Sequence, residues 1–558
     1  MHPIYVNRDR CSISFVTADF RAMIAQDLWR SLSRLPERQM MDPAGNFIRY
    51  TTELTIWDSD GNIENRDRFM RFVMTLKDNQ LKSLSANKGM TIDMLCTVLH
   101  KHREIHTLRV PLVETSDDDS LDTQPWIGPY FKNLKSLEVH LGAGRLEHDI
   151  PNYRFMIQHA PDLESLQIMG HWYAVEEGAQ EQDTSNVILE DGSLFLDGIL
   201  VLQKLEHLSV NCIDFDNTGN ANQRRLLPDT VFSQLKSLRL RNCSNVRFFL
   251  EELLEHFEEH GAALEILEIA NVTIHGIDDA IILNDFLQSF TGLKELCIDF
   301  NTWVQGDNGA GAARSIISHS ETLETLCTGV GHTLNRGHDI WLKRILDGCL
   351  NLKQLGLLVQ LDDRPPVQIH RKRKLDDLAV GATQQPIAYS ILDLLAEYPN
   401  IRTLRMLDKV STFRDEDIRD PPNIATRQLM TNAAAAWTQQ WANRVIEHLK
   451  SRGSNIEVFA MSRYQIRDLP SNDFRNQALF VDDDGQRYPR YTYDVDVDYE
   501  HHAELVLEPG ATQPPPRYKG VPIKDVKKTR PWERVLFYQY EVWSLVNWEN
   551  CNTLQVLN

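Results

Sequence analysis

The feature that most constrains this chain is a segment of the form LxxLxL that returns along most of its length. The copies read Leu134, Leu137, Val139; Leu163, Leu166, Ile168; Leu205, Leu208, Val210; Leu235, Leu238, Leu240; and Leu264, Leu267, Ile269. They continue with Leu293, Leu296, Ile298; Leu323, Leu326, Thr328; Leu352, Leu355, Leu357; and Ile401, Leu404, Met406. From Leu205 onward successive copies start 30, 29, 29, 30 and 29 residues apart. Weaker copies sit at Leu81 and Leu84 and at Ile105, Leu108 and Val110, and a late one at Ile456, Phe459 and Met461. The alternation around Leu238 and Leu240 predicts a strand buried on one face. Between the strands the period changes. Phe249, Leu250, Leu253, Leu254 and Phe257 recur at steps of three and four with glutamates between them, which predicts an amphipathic helix of about 10–14 residues.

A strand and a helix repeated every 29 residues or so cannot bury their apolar faces singly, so they must stack. The pattern resembles the leucine-rich-repeat family. That resemblance implies an α/β solenoid, a horseshoe of strand–helix repeats with a parallel sheet on its concave face. Cys243 and Asn301 occupy the family's asparagine-or-cysteine position, where a small polar group satisfies turn backbone. Two spacings are stretched. Leu163 to Leu205 is 42 residues and Leu352 to Ile401 is 49, so insertions near 176–190 and 362–386 read as loops leaving the stack. Ile401 to Ile456 is 55 residues, nearly two repeats, and no strand is assigned within it. The resulting division is a helical N-terminal cap over 1–40, a solenoid over 41–465, and an irregular C-terminal cap over 466–558.

Acidic residues outnumber basic ones by 79 to 59, a formal net charge of −20. Such a surface repels phosphate backbones, which argues against nucleic acid as the partner. No apolar stretch reaches the roughly 20 residues of a membrane span, and the N-terminus lacks the apolar core of a secretory signal. Eight cysteines in 558 residues, without a CxxC pair, do not make a disulfide framework. The expected location is the cytoplasm or the nucleus. Arg371-Lys-Arg-Lys374, the dense basic run in an acidic chain, reads equally as an import signal or a solvated loop anchor.

Ser12 to Leu32 contains Phe15, Val16, Phe20, Arg21, Leu28, Trp29, Arg30, Ser31 and Leu32. These residues resemble the closing half of a fungal-type F-box, a segment that leads directly into leucine-rich repeats. The resemblance implies a substrate receptor of a Skp1-cullin-F-box ubiquitin ligase, with Phe15, Phe20, Leu28 and Trp29 as adaptor contacts and the repeats holding a protein target. The opening L-P-x-E half of an F-box has no counterpart in the 11 residues before Ser12, which reads as an internal start or a lost box. The same residues also fit an amphipathic helix capping the first repeat. The alternative reading is a stand-alone repeat scaffold or inhibitor-like binding protein without a ubiquitin link.

Nothing in the motifs calls for an enzyme, a cofactor or a metal. Gly306-Asp-Asn-Gly-Ala-Gly311 lacks the lysine and hydroxyl of a phosphate loop and reads as a flexible turn. His100, His102 and His106 lack completing ligands and read as solvated. Asp117-Asp-Asp119 and Asp482-Asp-Asp484 lack EF-hand spacing. Cys297 and Cys327 fall beside the buried positions, on the concave side. Function is therefore expected on the strand residues that flank the core leucines: Glu138, Gln167, Ser209, Arg239, Arg241, Glu268, Glu295 and Asp299. The set is mixed polar, acidic in its middle at Glu268, Glu295 and Asp299, and suited to a protein partner with a basic or mixed patch.

Overall fold

The computed structural model describes residues 30–32, 46–56, 63–86, 89–113, 121, 125–142, 146–171, 187–188, 202, 204–215, 234–241, 243–270, 272, 277–298, 308–329, 338–359, 389–408, 445–456, 458–463, 490–494 and 520–522. The chain forms two compact units, the first built from 1–275 with 289–291, the second from 276–288 with 292–558. Both are mixed α/β, with helices alternating with the strands of a parallel sheet.

In the first unit the sheet strands are β1 (Ser31–Leu32), β2 (Glu53–Ile56), β3 (Ser83–Ala86), β5 (Thr107–Arg109), β7 (Ser136–Gly142), β8 (Ser165–His171), β10 (His207–Asn211), β12 (Ser237–Arg241) and β13 (Ile266–Ala270), in that spatial order. Two small parallel pairs flank them, β4 (Met90–Thr91) with β6 (Leu112–Val113), and β9 (Val187–Ile188) with β11 (Ile213–Asp214). Every LxxLxL copy supplies one strand, and the copies are in register: Leu137, Leu166, Leu208, Leu238 and Leu267 are successive partners, as are Val139, Ile168, Val210, Leu240 and Ile269. All ten are at most 3% exposed. Each strand thus adds two apolar side chains to a row that its neighbours complete, and each such side chain contributes about 1.5–3 kcal/mol on burial.

The register is set before each strand begins. Glu164 and Ser165 both donate their backbone N–H to the Lys135 carbonyl at 2.9 Å, and Glu206 and His207 do the same to Glu164 at 2.9 and 3.0 Å. The arrangement recurs at Arg30, Thr52, Lys82, His106, Glu206 and Lys236. Asn133 Nδ2 donates to the Arg103 carbonyl at 3.3 Å, tying the turn before β7 to the turn before β5. Cys243 Sγ donates to the carbonyls of Arg241 and Val210, at 3.2 and 3.6 Å, where β12 turns into the helix Val246–His260. That helix buries Phe249, Leu250, Leu253 and Phe257, with Phe215 stacked on Phe249 and Phe257 edge-on to Phe290.

The second unit repeats the scheme with β14 (Glu295–Ile298), β15 (Thr325–Gly329), β16 (Gln354–Val359), β17 (Thr403–Asp408) and β18 (Val458–Arg463) parallel and in order. Two further strands, β19 (Arg490–Asp494) and β20 (Gly520–Pro522), extend it antiparallel. β16 pairs directly with β17 and β17 with β18, so neither long spacing inserts a strand into the sheet. Asn351, Asn400 and Asn455 donate to the carbonyls of Glu321, Leu350 and Pro399 at 2.7, 2.7 and 3.1 Å, one tie per turn.

Three local readings are corrected. The part of Gly306–Gly311 among the described residues, from Asn308 on, is not a turn but the start of the helix Asn308–Ile317. Small residues suit it because a Cβ on Gly311 would lie 3.2 Å from Asn284 Nδ2 in the neighbouring helix Ile277–Gln288. Ser315 Oγ completes that contact, 3.0 Å from Asn284 Oδ1. Ser31–Leu32, inside the segment expected to be a helical cap, is instead a strand paired with Glu53–Leu54. Val187–Ile188, inside the first insertion, is also extended and pairs with β11. Phe15, Phe20, Leu28, Trp29, Arg371–Lys374 and Asn301 lie outside the described residues.

Two substitutions test this packing. A Cβ on Gly170 would fall 2.1 Å from the Cys212 carbonyl oxygen, so Gly170→Ala is expected to lower stability by about 1–3 kcal/mol in urea unfolding. Thr328 stands at a core position of β15, 1% exposed, and its hydroxyl has no hydrogen-bond partner among the described residues. Thr328→Val keeps the shape and removes that hydroxyl, and is expected to raise stability by about 1 kcal/mol in the same assay.

Candidate functional site

The residues that flank the core leucines lie on the opposite face of each sheet. In the first unit the ladder sets them in rows across β7, β8, β10, β12 and β13. One row is Glu138, Gln167, Ser209, Arg239 and Glu268, and the next is His140, Met169, Asn211, Arg241 and Ala270. Six of the eight positions expected to carry function are thereby brought onto one face of one unit. Glu295 begins β14 in the second unit, half-buried, and Asp299 lies outside the described residues.

This face is polar but not open. Glu138 is 5%, Arg241 6% and Glu268 0% exposed, while Gln167, Ser209 and Arg239 are half-buried. The buried charges answer one another. Arg241 grips Glu268 with two prongs, Nε to Oε1 at 2.8 Å and Nη2 to Oε2 at 2.6 Å, the fork geometry that suits a carboxylate. Arg239 Nε stands 3.9 Å from the same carboxylate. Glu138 lies 3.0 Å from His140 Nε2 and 3.9 Å from Arg109 Nε. Burial acts to raise the Glu138 carboxyl, but the His140 bond and the charges of His140 and Arg109 outweigh it and hold it below the usual carboxylate range. The face therefore carries a charged cluster at β5–β7, another at β12–β13, and between them an uncharged stretch of polar Gln167, Ser209 and Asn211 with apolar Met169. Within this unit the expected acidic centre at Glu268 is neutralised by Arg241, with Arg239 beside it.

A second array of charges lies at the start of the strands. The residue after the leading leucine is charged in most copies, and several of these residues pair across neighbouring strands. Lys135 meets Glu164 at 2.7 Å, and Lys236 meets Glu206 at 2.7 Å. In the second unit Lys353 pairs with Glu324 at 3.0 Å, while Lys82 pairs with Glu104, the residue before the leading Ile105. The signal lay in the sequence as Leu81-Lys, Leu134-Lys, Leu163-Glu, Leu205-Glu, Leu235-Lys, Leu323-Glu and Leu352-Lys. Being solvated, these pairs favour one register more than they add stability.

The histidine group divides. His100 is exposed, its Nδ1 3.0 Å from the Tyr130 hydroxyl. His102 is not solvated: it is 0% exposed. The Leu81 N–H donates to its Nδ1 at 3.5 Å and its Nε2 faces the Val73 carbonyl at 3.4 Å. Only neutral imidazole both accepts and donates in that way. Burial first, then the charge of Lys101, lowers its pKa to about 4 against a raising bond to Val73. His319 in the second unit is likewise lowered to about 4 by burial. Cys297 and Cys327 are buried at 0% and 2%. Among the described residues, no group of three or more His, Cys, Asp and Glu side chains is placed to hold a metal ion, and no helix is long and apolar enough to cross a membrane.

No protein-family model matches the chain, and no curated protein matches its sequence. The rows and their burial are what bear on function.

Two experiments follow from these charges. Removing one partner of a buried ion pair strands the other, so Arg241→Ala and Glu268→Ala are each expected to destabilise by about 3–5 kcal/mol. With Arg241→Met and Glu268→Leu as the single arms, the double variant is expected to lose less than either, as a denaturant double-mutant cycle would show. The stability contributed by neutral His102 is complete above about pH 6.5 and is lost as pH falls toward its folded value near 4. In that window the unfolded chain binds the extra proton, giving a slope of about 1.4 kcal/mol per pH unit. His102→Asn is expected to remove that slope in urea titrations from pH 4 to 7.

Proposed function

We propose that this chain is a leucine-rich-repeat solenoid whose work is to bind another protein, not to catalyse. One observation carries this reading: successive LxxLxL copies become adjacent parallel strands in register, so their flanking residues form continuous polar rows. Repeat stacks use such rows as extended contact surfaces. The half-buried Gln167, Ser209 and Arg239, between two internally paired charge clusters, are the positions of this face that a partner would meet first. Glu138, Arg241 and Glu268 are buried beside them, with their charges paired within the face. A partner with a basic or mixed patch, in the cytoplasm or the nucleus, fits the net charge of −20.

The finer reading, a substrate receptor for a Skp1-cullin-F-box ubiquitin ligase, is supported by the likeness of Ser12 to Leu32 to the end of an F-box. In that role Phe15, Phe20, Leu28 and Trp29 would grip Skp1. The stand-alone scaffold has an observation in its favour as well. Ser31 and Leu32, the last residues of the likeness, pair with Glu53 and Leu54, and Arg30 Nε bonds Glu53 at 2.8 Å. The end of the segment is thus engaged by its own sheet.

Co-purification with Skp1 separates the two. The ubiquitin reading expects a stable complex with the full chain and its loss when residues 1–40 are deleted. A folded full chain that retains no Skp1 in size-exclusion chromatography would leave the scaffold reading.

A further inference from the structure

The second unit places two cysteines where repetition gives each a neighbour of its own kind. Cys297 on β14 and Cys327 on β15 are register partners in a parallel pair. They follow Leu296 and Leu326, which are fully buried in the core, so both thiols lie on the same opposite face. Neither is in a disulfide. Adjacent parallel strands hold such partners about 4.8 Å apart, near enough for both sulfurs to reach one ion between them.

The rest of the row supplies the charge such an ion needs. Continuing across the sheet, the partners of Cys327 are Gly356, Arg405 and Ala460. Gly356 presents no side chain, and Arg405 brings a guanidinium with 0% exposure. Arg405 is the charged residue of that row. The thiols of Cys96 and Cys349 differ. Each is single, and burial pushes them up to about 12 and about 11, the former helped by Asp93.

We propose that Cys297 and Cys327 form a two-thiol site for a soft monovalent d10 cation, of which Cu(I) is the type. Thiolate ligands select such ions, whereas structural zinc takes four ligands and these strands offer two. Binding exchanges two S–H bonds for two metal–sulfur bonds and releases two protons, converting one cation and two neutral thiols into a singly negative complex. The Arg405 charge lies on the same face to offset it. At 0% and 2% exposure the site is shielded from water and competing thiols, and entry requires transient opening of that face.

The test titrates Cu(I) into the full-length chain, without oxygen, against a coloured Cu(I) chelator. The wild type and Cys349→Ser should each withdraw one equivalent that Cys297→Ser and Cys327→Ser no longer withdraw. If the double variant Cys297→Ser/Cys327→Ser keeps that equivalent, or the wild type withdraws none, the proposal fails. A second measurement uses the unmutated chain and so does not depend on how the variants fold. Phenylarsine oxide condenses with two neighbouring thiols, losing water. Peptide mapping should find its adduct joining the peptides of Cys297 and Cys327, and an adduct confined to other cysteines would overturn the assignment.

Discussion

Everything in the two units depends on how one strand is fastened to the strand before it. Two consecutive backbone N–H groups donate to a single carbonyl just ahead of the strand, as Glu164 and Ser165 do to Lys135. That clamp fixes the register before any side chain is buried. A slip of one residue would turn Leu166 and Ile168 outward and Gln167 inward. The charged residue at the same step, Lys135 against Glu164 or Lys236 against Glu206, penalises such a slip from the solvent side. Burial of the leucine rows supplies the free energy, and the clamps decide which residues receive it.

The same fastening explains why the fold was so readable and its polar face was not. Period-two leucines announce a strand and its inward side, and the strands fall where Leu137, Leu238 and Leu355 place them. Depth on the other side leaves no such trace. Glu138, Arg241 and Glu268 look like solvated charges in the sequence because the pattern records which way a residue points and not what lies beside it. Arg241 and Glu268 find each other across strands, 27 residues apart, and Glu138 is held by His140 on its own strand and by Arg109 on the next. His102 was misread for a related reason, since its partners Leu81 and Val73 are 21 and 29 residues away. The glycines before Ser315 misled in the opposite way: glycine usually marks a turn, but close approach to Asn284 overrides that preference.

A polar face made of internally paired charges has consequences for recognition. The Arg241–Glu268 fork and the Glu138–His140 contact are satisfied within the first unit, so they offer a partner shape and local rigidity more than free charge. Discrimination would fall to Gln167, Ser209 and Arg239, whose half-burial lets them reach a partner without reorganising the sheet. In the second unit the corresponding row carries thiols and one buried arginine, a different chemistry on the same scaffold. Repetition thus fixes the backbone while each copy is free to vary the residue beside its leucine.

The central claim is the in-register stacking of successive copies, and a distance measurement within the first unit tests it most directly. Lys82, His106, Lys135, Glu164, Glu206 and Lys236 are linked stepwise by the carbonyl clamps, which sets Lys82 and Lys236 five strand spacings apart. At about 4.8 Å each, the backbone separation is about 24 Å. Nitroxide labels at these two positions, measured by double electron–electron resonance, should give one narrow distribution centred within several ångströms of that value. A broad distribution, or a peak beyond about 35 Å, a distance that stacking at about 4.8 Å per strand cannot reach, would contradict it.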